Sequence, residues 1–424
     1  MGKKSPLGRP GAFDMLPAEA GQKAEKIRDF IYMSQGNSNS YLVLTQQGKV
    51  VINTGMGYEA RIHKALFDRI SSAPLRYILL TQGHVDHVGG VAHFQEPGTQ
   101  VIAQENNRSC QRDDERIAGV RVTRGTVFFQ RAIERAIQMA ADNPSELVQD
   151  HPHPDILFNR QHSFEEGGLR FELHAAPGGE TIDSMFVWLP QHGILFSGNM
   201  LGPLFPHFPN FYTLRGDKYR APEPYMEAVE QLLALKPELL LTGHFAPIEG
   251  QALIQKELKR LRDAVEYVHR ETLKGINQGR DVFDLMREIH LPPELEVGEG
   301  YGKVSWGVRA FYEQYLGWFR MRSTTELYAQ PPESVYGDLA ELAGGAAPLV
   351  ERAQKHLQKG QPLHAIHLAE IARGAATGTA PALRVLLDAH RLLLEESGGE
   401  NFWEVSWLRR QVELLQQALQ ETQD

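Results

Sequence analysis

Apolar residues recur along this chain with two different periods. Between residue 27 and the middle of the chain they form short runs bounded by Gly, Asn and Pro, a strand pattern. The runs fall at 29–32, 40–45, 49–52, 77–80, 101–103, 155–158, 169–174, 185–190, 193–199 and 238–243. Gln46-Gln47-Gly48 and Glu166-Gly167-Gly168 are hairpin turns between neighbouring runs. Helical spacing appears at 61–70 and 91–94, and again within the polar stretch 105–150. Strands alternating with helices predict sheets with helices packed outside them. After Gly250 the period becomes helical throughout. Leu253, Leu258, Leu261, Ala264, Val265 and Val268 form one apolar face. Residues 332–424 read as three or four amphipathic helices separated at Gly360, at 374–378 and at Gly398-Gly399. The pattern therefore divides the chain into a loose polar arm over 1–26, a sheet-containing domain over 27–250 and a helical domain over 251–424.

Composition narrows the partners. At 424 residues the chain has room for two or three domains and a large core. Net charge is −9, with acids and bases interspersed and no basic block, which argues against nucleic acid or an anionic membrane surface. Cys110 is the single cysteine, so neither an intramolecular disulfide nor a Cys-rich zinc site exists. The N-terminal stretch lacks the apolar core of a signal peptide, and no run approaches ~18 apolar residues, so a cytoplasmic location without a membrane span is expected.

The chemistry gathers where the run at 77–80 ends, in Thr81-Gln82-Gly83-His84-Val85-Asp86-His87-Val88-Gly89-Gly90. His84, Asp86 and His87 lie on a turn where their side chains can converge. Imidazole nitrogens with a carboxylate oxygen are the ligand set preferred by zinc and its neighbours. Gly89 and Gly90 let the chain fold back tightly beneath them. The same strand-then-histidine construction returns at 238–244 and ends in His244. His151-Pro152-His153 has no third ligand beside it and its prolines restrict its neighbours, so it reads as surface.

The loop resembles the metal-binding loop of the metallo-β-lactamase superfamily, His-x-His-x-Asp-His followed by a Gly pair, with Gln82 in the place of the first His. Within that superfamily, Asn210-Phe211-Tyr212-Thr213-Leu214-Arg215-Gly216-Asp217-Lys218-Tyr219-Arg220 resembles the alkyl sulfatase segment Asn-x-Tyr-Thr-Leu-Arg-Gly-x-Lys-x-Arg. Residues 309–319 resemble the opening of the alkyl sulfatase dimerisation region, although Phe319-Arg320-Met321 departs from the continuation typical of that region. The resemblance runs from about residue 27 to 420. It implies an α+β chain: a metallo-β-lactamase αββα sandwich followed by an all-α dimerisation domain, and hence a homodimer.

The resemblance also implies roles. A first metal site would use Gln82, His84 and Glu180, the last in the Gly-rich loop 176–181. A second would use Asp86, His87 and His244, with Asn199 where the superfamily places a bridging acid. Asn53 stands where the superfamily carries a supporting Asp. Arg215 would grip an anionic group, with Arg220, Tyr212 and His207 as further substrate contacts. Asp86 is placed to hold and orient a water for attack. The cofactor implied is zinc, one or two ions, with manganese or iron as other divalent candidates. Gln82 and Asn199 replace a strong ligand and a negative charge by amides, so one ion at Asp86, His87 and His244 is expected, its partner weak or absent. Three functions are compatible with these residues: a metal-dependent hydrolase of a sulfate ester, a hydrolase of another ester class on the same fold, or a scaffold that has lost its chemistry. The arginine segment favours the first and the two amides favour the last.

Overall fold

A computed structural model of the chain describes Leu7 and residues 21–142, 149–218, 220–374 and 379–422. Most of the expected N-terminal arm, Tyr219 of the arginine segment and most of the 374–378 break lie outside the described residues.

The first sheet holds β1 (Ala24–Arg28), β2 (Ile31–Ser34), β3 (Ser40–Leu44), β4 (Lys49–Ile52), β5 (Leu75–Leu80), β6 (Gln100–Gln104) and β7 (Ile156–Phe158), in that spatial order. β1 to β4 pair antiparallel, and β4 to β7 pair parallel. The second sheet runs in reverse order through β13 (Ile248–Glu249), β12 (Leu239–Thr242), β11 (Ile194–Gly198), β10 (Met185–Leu189), β9 (Leu169–Ala175) and β8 (Gln161–Glu166). Its β11–β12 pair is parallel.

Strand alternation builds the layers. Met33, Tyr41, Val43, Val50, Ile52 and Leu79 meet Phe171, Leu173, Met185, Val187, Phe196 and Leu241 between the two sheets. The alternate residues Leu42, Val51, Ile78 and Leu80 face outward. They are covered by α1 (Gly57–Asp68), α2 (Val85–Val88) and α3 (Val91–Phe94), through Ala60, Phe67, Val88 and Phe94. The long polar stretch forms α4 (Asn107–Arg116), α5 (Ala118–Phe128) and α6 (Gln130–Asp142). On the far side, the second sheet is covered by α7 (Pro222–Leu235), α8 (Gln251–Asn277), α9 (Val282–Glu288) and α10 (Val304–Leu316). The helices packed outside sheets that the pattern predicts, and the αββα sandwich that the resemblance implies, are the observed architecture.

The helical face read after Gly250 is real, but it packs within the sandwich. Leu258, Leu261, Ala264, Val265 and Val268 are all buried in one cluster with Leu195, Leu240, Phe211 and Phe311. The compact unit that contains both sheets accordingly runs to Gln314, and a second unit begins at Tyr315. That second unit is helical: α11 (Tyr336–Leu342), α12 (Ala346–Gln358), α13 (Pro362–Arg373), α14 (Thr379–Glu396) and α15 (Phe402–Glu421). Its core interleaves Ala353, Ala365, Ala369, Ala372 and Ala382 with Leu383, Leu386 and Leu415, small residues that let the helices approach closely. Asn401 caps α15 by accepting from the backbone N–H groups of Trp403 and Glu404. Among the described residues, no helix is long and apolar enough to cross a membrane.

Candidate active site

The C-terminal ends of β4 and β5 in one sheet, and of β11 and β12 in the other, come together at one edge of the sandwich. The apolar run of β5 stops at Leu80, and α2 starts immediately after His84, so Asp86 and His87 leave the same helical turn. His84 contributes its carbonyl, which accepts from the N–H groups of His87 and Val88 at 2.9 and 3.2 Å. Gly90 makes the return possible: a Cβ there would stand 2.7 Å from the Thr54 carbonyl and closer still to Ala60. β12 delivers His244 from the other sheet.

Among the described residues, Asp86, His87 and His244 are the three whose ligand atoms close on one another, all within 4.8 Å. Asp86 Oδ2 lies 3.4 Å from His87 Nε2 and 3.8 Å from His244 Nε2. The imidazole rings of His87 and His244 meet edge to face, 6.1 Å between centroids. His87 is fully buried, and neither of its ring nitrogens has a hydrogen-bond partner among the described residues. Burial pushes the His87 imidazole down to about 4, against the pull of Asp86, so its lone pair is available. Burial would raise Asp86, but the charges of His87, His244, His84 and Arg215 hold it below the usual carboxylate range.

The remaining predicted residues form a second group, held together by ion pairs. His84 Nδ1 lies 2.8 Å from Gln82 Nε2, so the amide donates and the ring proton sits on Nε2. That nitrogen faces Asp217 Oδ2 and Arg215 Nη2, both at 3.3 Å. Arg215 is also paired with Asp217 at 3.2 Å. Burial opposes ionisation of Asp217, yet the hydrogen bond from His84 and the charges of Arg215 and Arg220 hold it far below the usual range. Glu180 Oε2 lies 2.5 Å from Arg220 Nη1, and both side chains are 3% exposed. Burial raises the Glu180 carboxyl while Arg220 pulls it back. Asn199 donates to His244 Nε2 at 3.2 Å.

Tyr212 packs against the apolar cluster beneath the second sheet. His207 is buried, and its Nδ1 accepts from the Gly300 N–H at 2.9 Å. His151 is exposed, 3.5 Å from Glu115. Beside Glu180 and Asp217 opens a cleft of about 370 Å³ that is also lined by Cys110, Asp114 and Thr181.

Sequence reasoning missed the residues that hold the two ligand loops in register. Asn39 donates its backbone N–H to Gly243 at 2.6 Å and its amide to the carbonyls of Thr242 and Phe245 at 3.1 and 2.9 Å. Its neighbour Ser38 donates to the Asp86 carbonyl. The polar run 34–40 before β3 was the available signal. Tyr301 was also missed. Burial raises its phenol, and the charges of Glu180, Arg220, Arg215 and Asp86 all act on it.

Two sheets face to face, with a His/Asp cluster at the ends of β5 and β12, define the class. The chain belongs to the metallo-beta-lactamase superfamily, whose model matches residues 33–244. Residues 282–408 match the alkyl sulfatase dimerisation family. An alkyl/aryl-sulfatase of Saccharomyces cerevisiae is 27% identical over 79% of this chain and 55% of that protein. A linear primary-alkylsulfatase of a Pseudomonas sp. is 27% identical over 72% of this chain and 60% of its own length. The chain thus spans between half and two thirds of the length of these two relatives. The solved stereoselective inverting sec-alkylsulfatase of a Pseudomonas sp. has the same fold, with a TM-score of 0.79 at 20% identity, covering 93% of this chain and 65% of that one.

The superfamily implies a divalent metal, and the two groups of side chains meet that requirement differently. Ligand atoms about 2.1 Å from a tetrahedral ion stand roughly 3.4 Å apart. The Asp86–His87 and Asp86–His244 spacings of 3.4 and 3.8 Å fit, and the one ring lone pair of neutral His87 has no other partner among the described residues, while an ion at His244 Nε2 would displace the Asn199 amide. Around Gln82, His84 and Glu180, Gln82 Oε1 has no partner among the described residues, but both ring nitrogens of His84 have partners and Glu180 is paired with Arg220. That group does not offer an ion converging lone pairs.

Proposed function

We propose that this protein is a metal-dependent hydrolase of a small anionic ester, most concretely an alkyl sulfate, working with one zinc ion at Asp86, His87 and His244. The observation that carries the reading is the juxtaposition of that cluster with a half-buried, paired arginine, Arg215, whose charge acts on Asp86. Two imidazoles and one carboxylate suit zinc, with manganese and iron as alternatives. When bound, the ion supplies Lewis-acid polarisation of an ester oxygen and acidifies a water.

The chain's own residues do the rest. His87 is fixed by burial, and His244 by burial and by the Asn39 clamp on its neighbours, so their nitrogens are preorganised. Asp86, ionised and partly open to the chamber, accepts a proton from a water and orients its lone pair. Arg215, steered by Asp217, presents N–H donors to the anionic group of the ester. Tyr212 and His207 belong to the walls of this chamber in our reading. The match to the alkyl sulfatase dimerisation family, together with the exposed Leu339, Leu342, Leu363 and Trp407 of the helical unit, supports a homodimer.

The test is sulfate release from linear alkyl sulfates by metal-reconstituted protein, measured by ion chromatography. Phosphate and carboxylate esters of the same alcohols are assayed in parallel. Sulfate release that disappears in His87→Ala supports the reading. Hydrolysis of another ester class alone, or of none, sinks it.

A further inference from the structure

Asp86, His87 and His244 come from two segments of the chain, and one short loop bonds to both. The loop leaves β2 after Ser34 and enters β3 at Ser40. Within it, Ser38 donates its hydroxyl to the Asp86 carbonyl. Asn39 fastens Thr242, Gly243 and Phe245, the neighbours of His244. The loop is itself held from behind, by α1.

α1 places Glu59 and His63 one turn apart on the same face, 2% and 1% exposed. Both Glu59 carboxyl oxygens accept from the Asn37 N–H at 3.1 Å. The Asn37 amide donates to the hydroxyl of Tyr58, beside Glu59 on the helix. His63 Nδ1 lies 2.7 Å from the Ser34 hydroxyl, which ties the same helix to the end of β2. Gly36 lies between the two side chains. A Cβ there would stand 2.9 Å from Glu59 Oε2 and 2.9 Å from His63 Nε2. The backbone of the loop is therefore seated directly on Glu59 and His63.

Three consecutive residues thus bond in three directions: Asn37 to α1, Ser38 to the turn of Asp86, Asn39 to the end of β12. Neighbouring Cα atoms are held about 3.8 Å apart, so one residue cannot shift far without moving the next. Ser38 and Asn39 are buried, which leaves no slack to absorb a movement of Asn37.

We infer that Glu59 is a positioning residue for the metal cluster: by fastening Asn37 it fixes the loop that holds Asp86 and the neighbours of His244 in place. Glu59 is not itself a ligand; it acts through Asn37, Ser38 and Asn39. The inference rests on the proposed metal site at Asp86, His87 and His244, and it is independent of which ester is cleaved.

The test is zinc affinity of the full chain, measured at fixed pH by competition with a chromophoric chelator, with circular dichroism and urea midpoints on the same samples. Glu59→Leu removes the acceptor and should weaken zinc binding by about 10–100-fold, the effect of losing an outer support. Glu59→Gln keeps a carbonyl oxygen for the Asn37 N–H and should stay within about threefold of wild type. Phe67→Leu changes the same helix where its ring packs on Phe94. It should lower the urea midpoint but leave zinc affinity within about threefold of wild type. Gly36→Ala displaces the Glu59 carboxyl or the loop and should weaken zinc binding as Glu59→Leu does. It decides the matter where Glu59→Leu does not fold.

A folded Glu59→Leu or Gly36→Ala with wild-type zinc affinity overturns the inference. Phe67→Leu with an equal loss of affinity also overturns it, because general stability would then be the cause. So does Glu59→Gln weakened as far as Glu59→Leu, because the charge would then matter and not the hydrogen bond. Wild type that takes up no zinc sinks the metal reading and this inference together. A protein whose zinc affinity answers to Glu59 as expected, yet which cleaves no sulfate ester, sinks the proposed function alone.

Discussion

Asn53 and Thr81 are joined by both of their polar side-chain functions. Thr81 donates its backbone N–H to Asn53 Oδ1 at 3.0 Å, and Asn53 donates its amide to Thr81 Oγ1 at 2.9 Å. Both residues are buried, and Asn53 adopts φ 58° at the end of β4. The pair locks the residue that follows β5, immediately before the ligand loop, to the neighbouring strand. Where the resemblance leads one to expect a supporting Asp, an amide does the same mechanical work without the charge. Asn53→Leu leaves the Thr81 N–H buried without an acceptor and forces a branched side chain into a left-handed backbone. It should cost about 2–4 kcal/mol, read as a lower urea midpoint. Asn53→Asp keeps the acceptor and should cost clearly less.

Asn39 is the corresponding support for His244. Three hydrogen bonds, from one backbone N–H and one side-chain amide, fasten it to Gly243, Thr242 and Phe245. Asn39→Ala removes the side-chain bonds and leaves the histidine's own atoms untouched. Metal affinity should fall by about 10–100-fold, as for other outer supports of metal ligands. Competition against a chromophoric chelator measures it. Unchanged affinity would mean the β12 loop is rigid without the clamp.

The parts of this site that were legible in the sequence are those where chemistry and local pattern coincide. His84, Asp86 and His87 follow an apolar run and precede two glycines, and His244 ends a similar run, so residue type and position point the same way. Glu180 and Arg220 each stand out, but nothing in sequence could pair two residues 40 positions apart, so the ion pair between them was not legible there. Tyr301 and Asn39 carry no ligand-type signal at all, and their importance comes only from what the fold puts beside them. The sandwich was legible because strand alternation is local. The end of the sheet-containing unit was not. The period of α8 announces an apolar face but not that Leu240 and Phe211 lie beneath it, so a change of pattern at Gly250 and the unit boundary at Gln314 differ by some sixty residues.

Metal removal gives a prediction independent of substrate. The cluster at Asp86, His87 and His244 ties β5 of one sheet to β12 of the other, so an ion there stabilises the native state alone. At a free ion concentration about 1,000-fold above Kd, the gain is about 4 kcal/mol. Chelation should lower Tm in scanning calorimetry, and added zinc should restore it. In His87→Ala, bound metal should be absent and Tm should no longer respond to chelator. A chelator response as large as in wild type would place the ion elsewhere.

Glu59 supplies the pH dependence. It is 2% exposed at the start of α1, and both carboxylate oxygens accept from the Asn37 N–H at 3.1 Å. Burial pushes the carboxyl up to about 7, against the backbone hydrogen bonds and the charge of Arg135, with Asp86 adding to the rise. The native state therefore keeps a proton that the unfolded chain releases near pH 4.5, so native stability falls as pH rises from about 4.5 to about 7. The loss from this group is at most about 3 kcal/mol. His63, pushed down to about 4 by burial and by Arg135, acts oppositely: it costs stability as pH falls below about 6.5, where the unfolded imidazole takes up a proton. The two windows overlap, so the wild-type profile alone does not separate them. The difference between Glu59→Gln and wild type does, because the amide has no proton to lose. Relative to wild type, Glu59→Gln should gain stability steadily from pH 4.5 to 7.5 in urea titrations. A flat difference across that range would mean that Glu59 ionises in the folded protein as it does in the unfolded one.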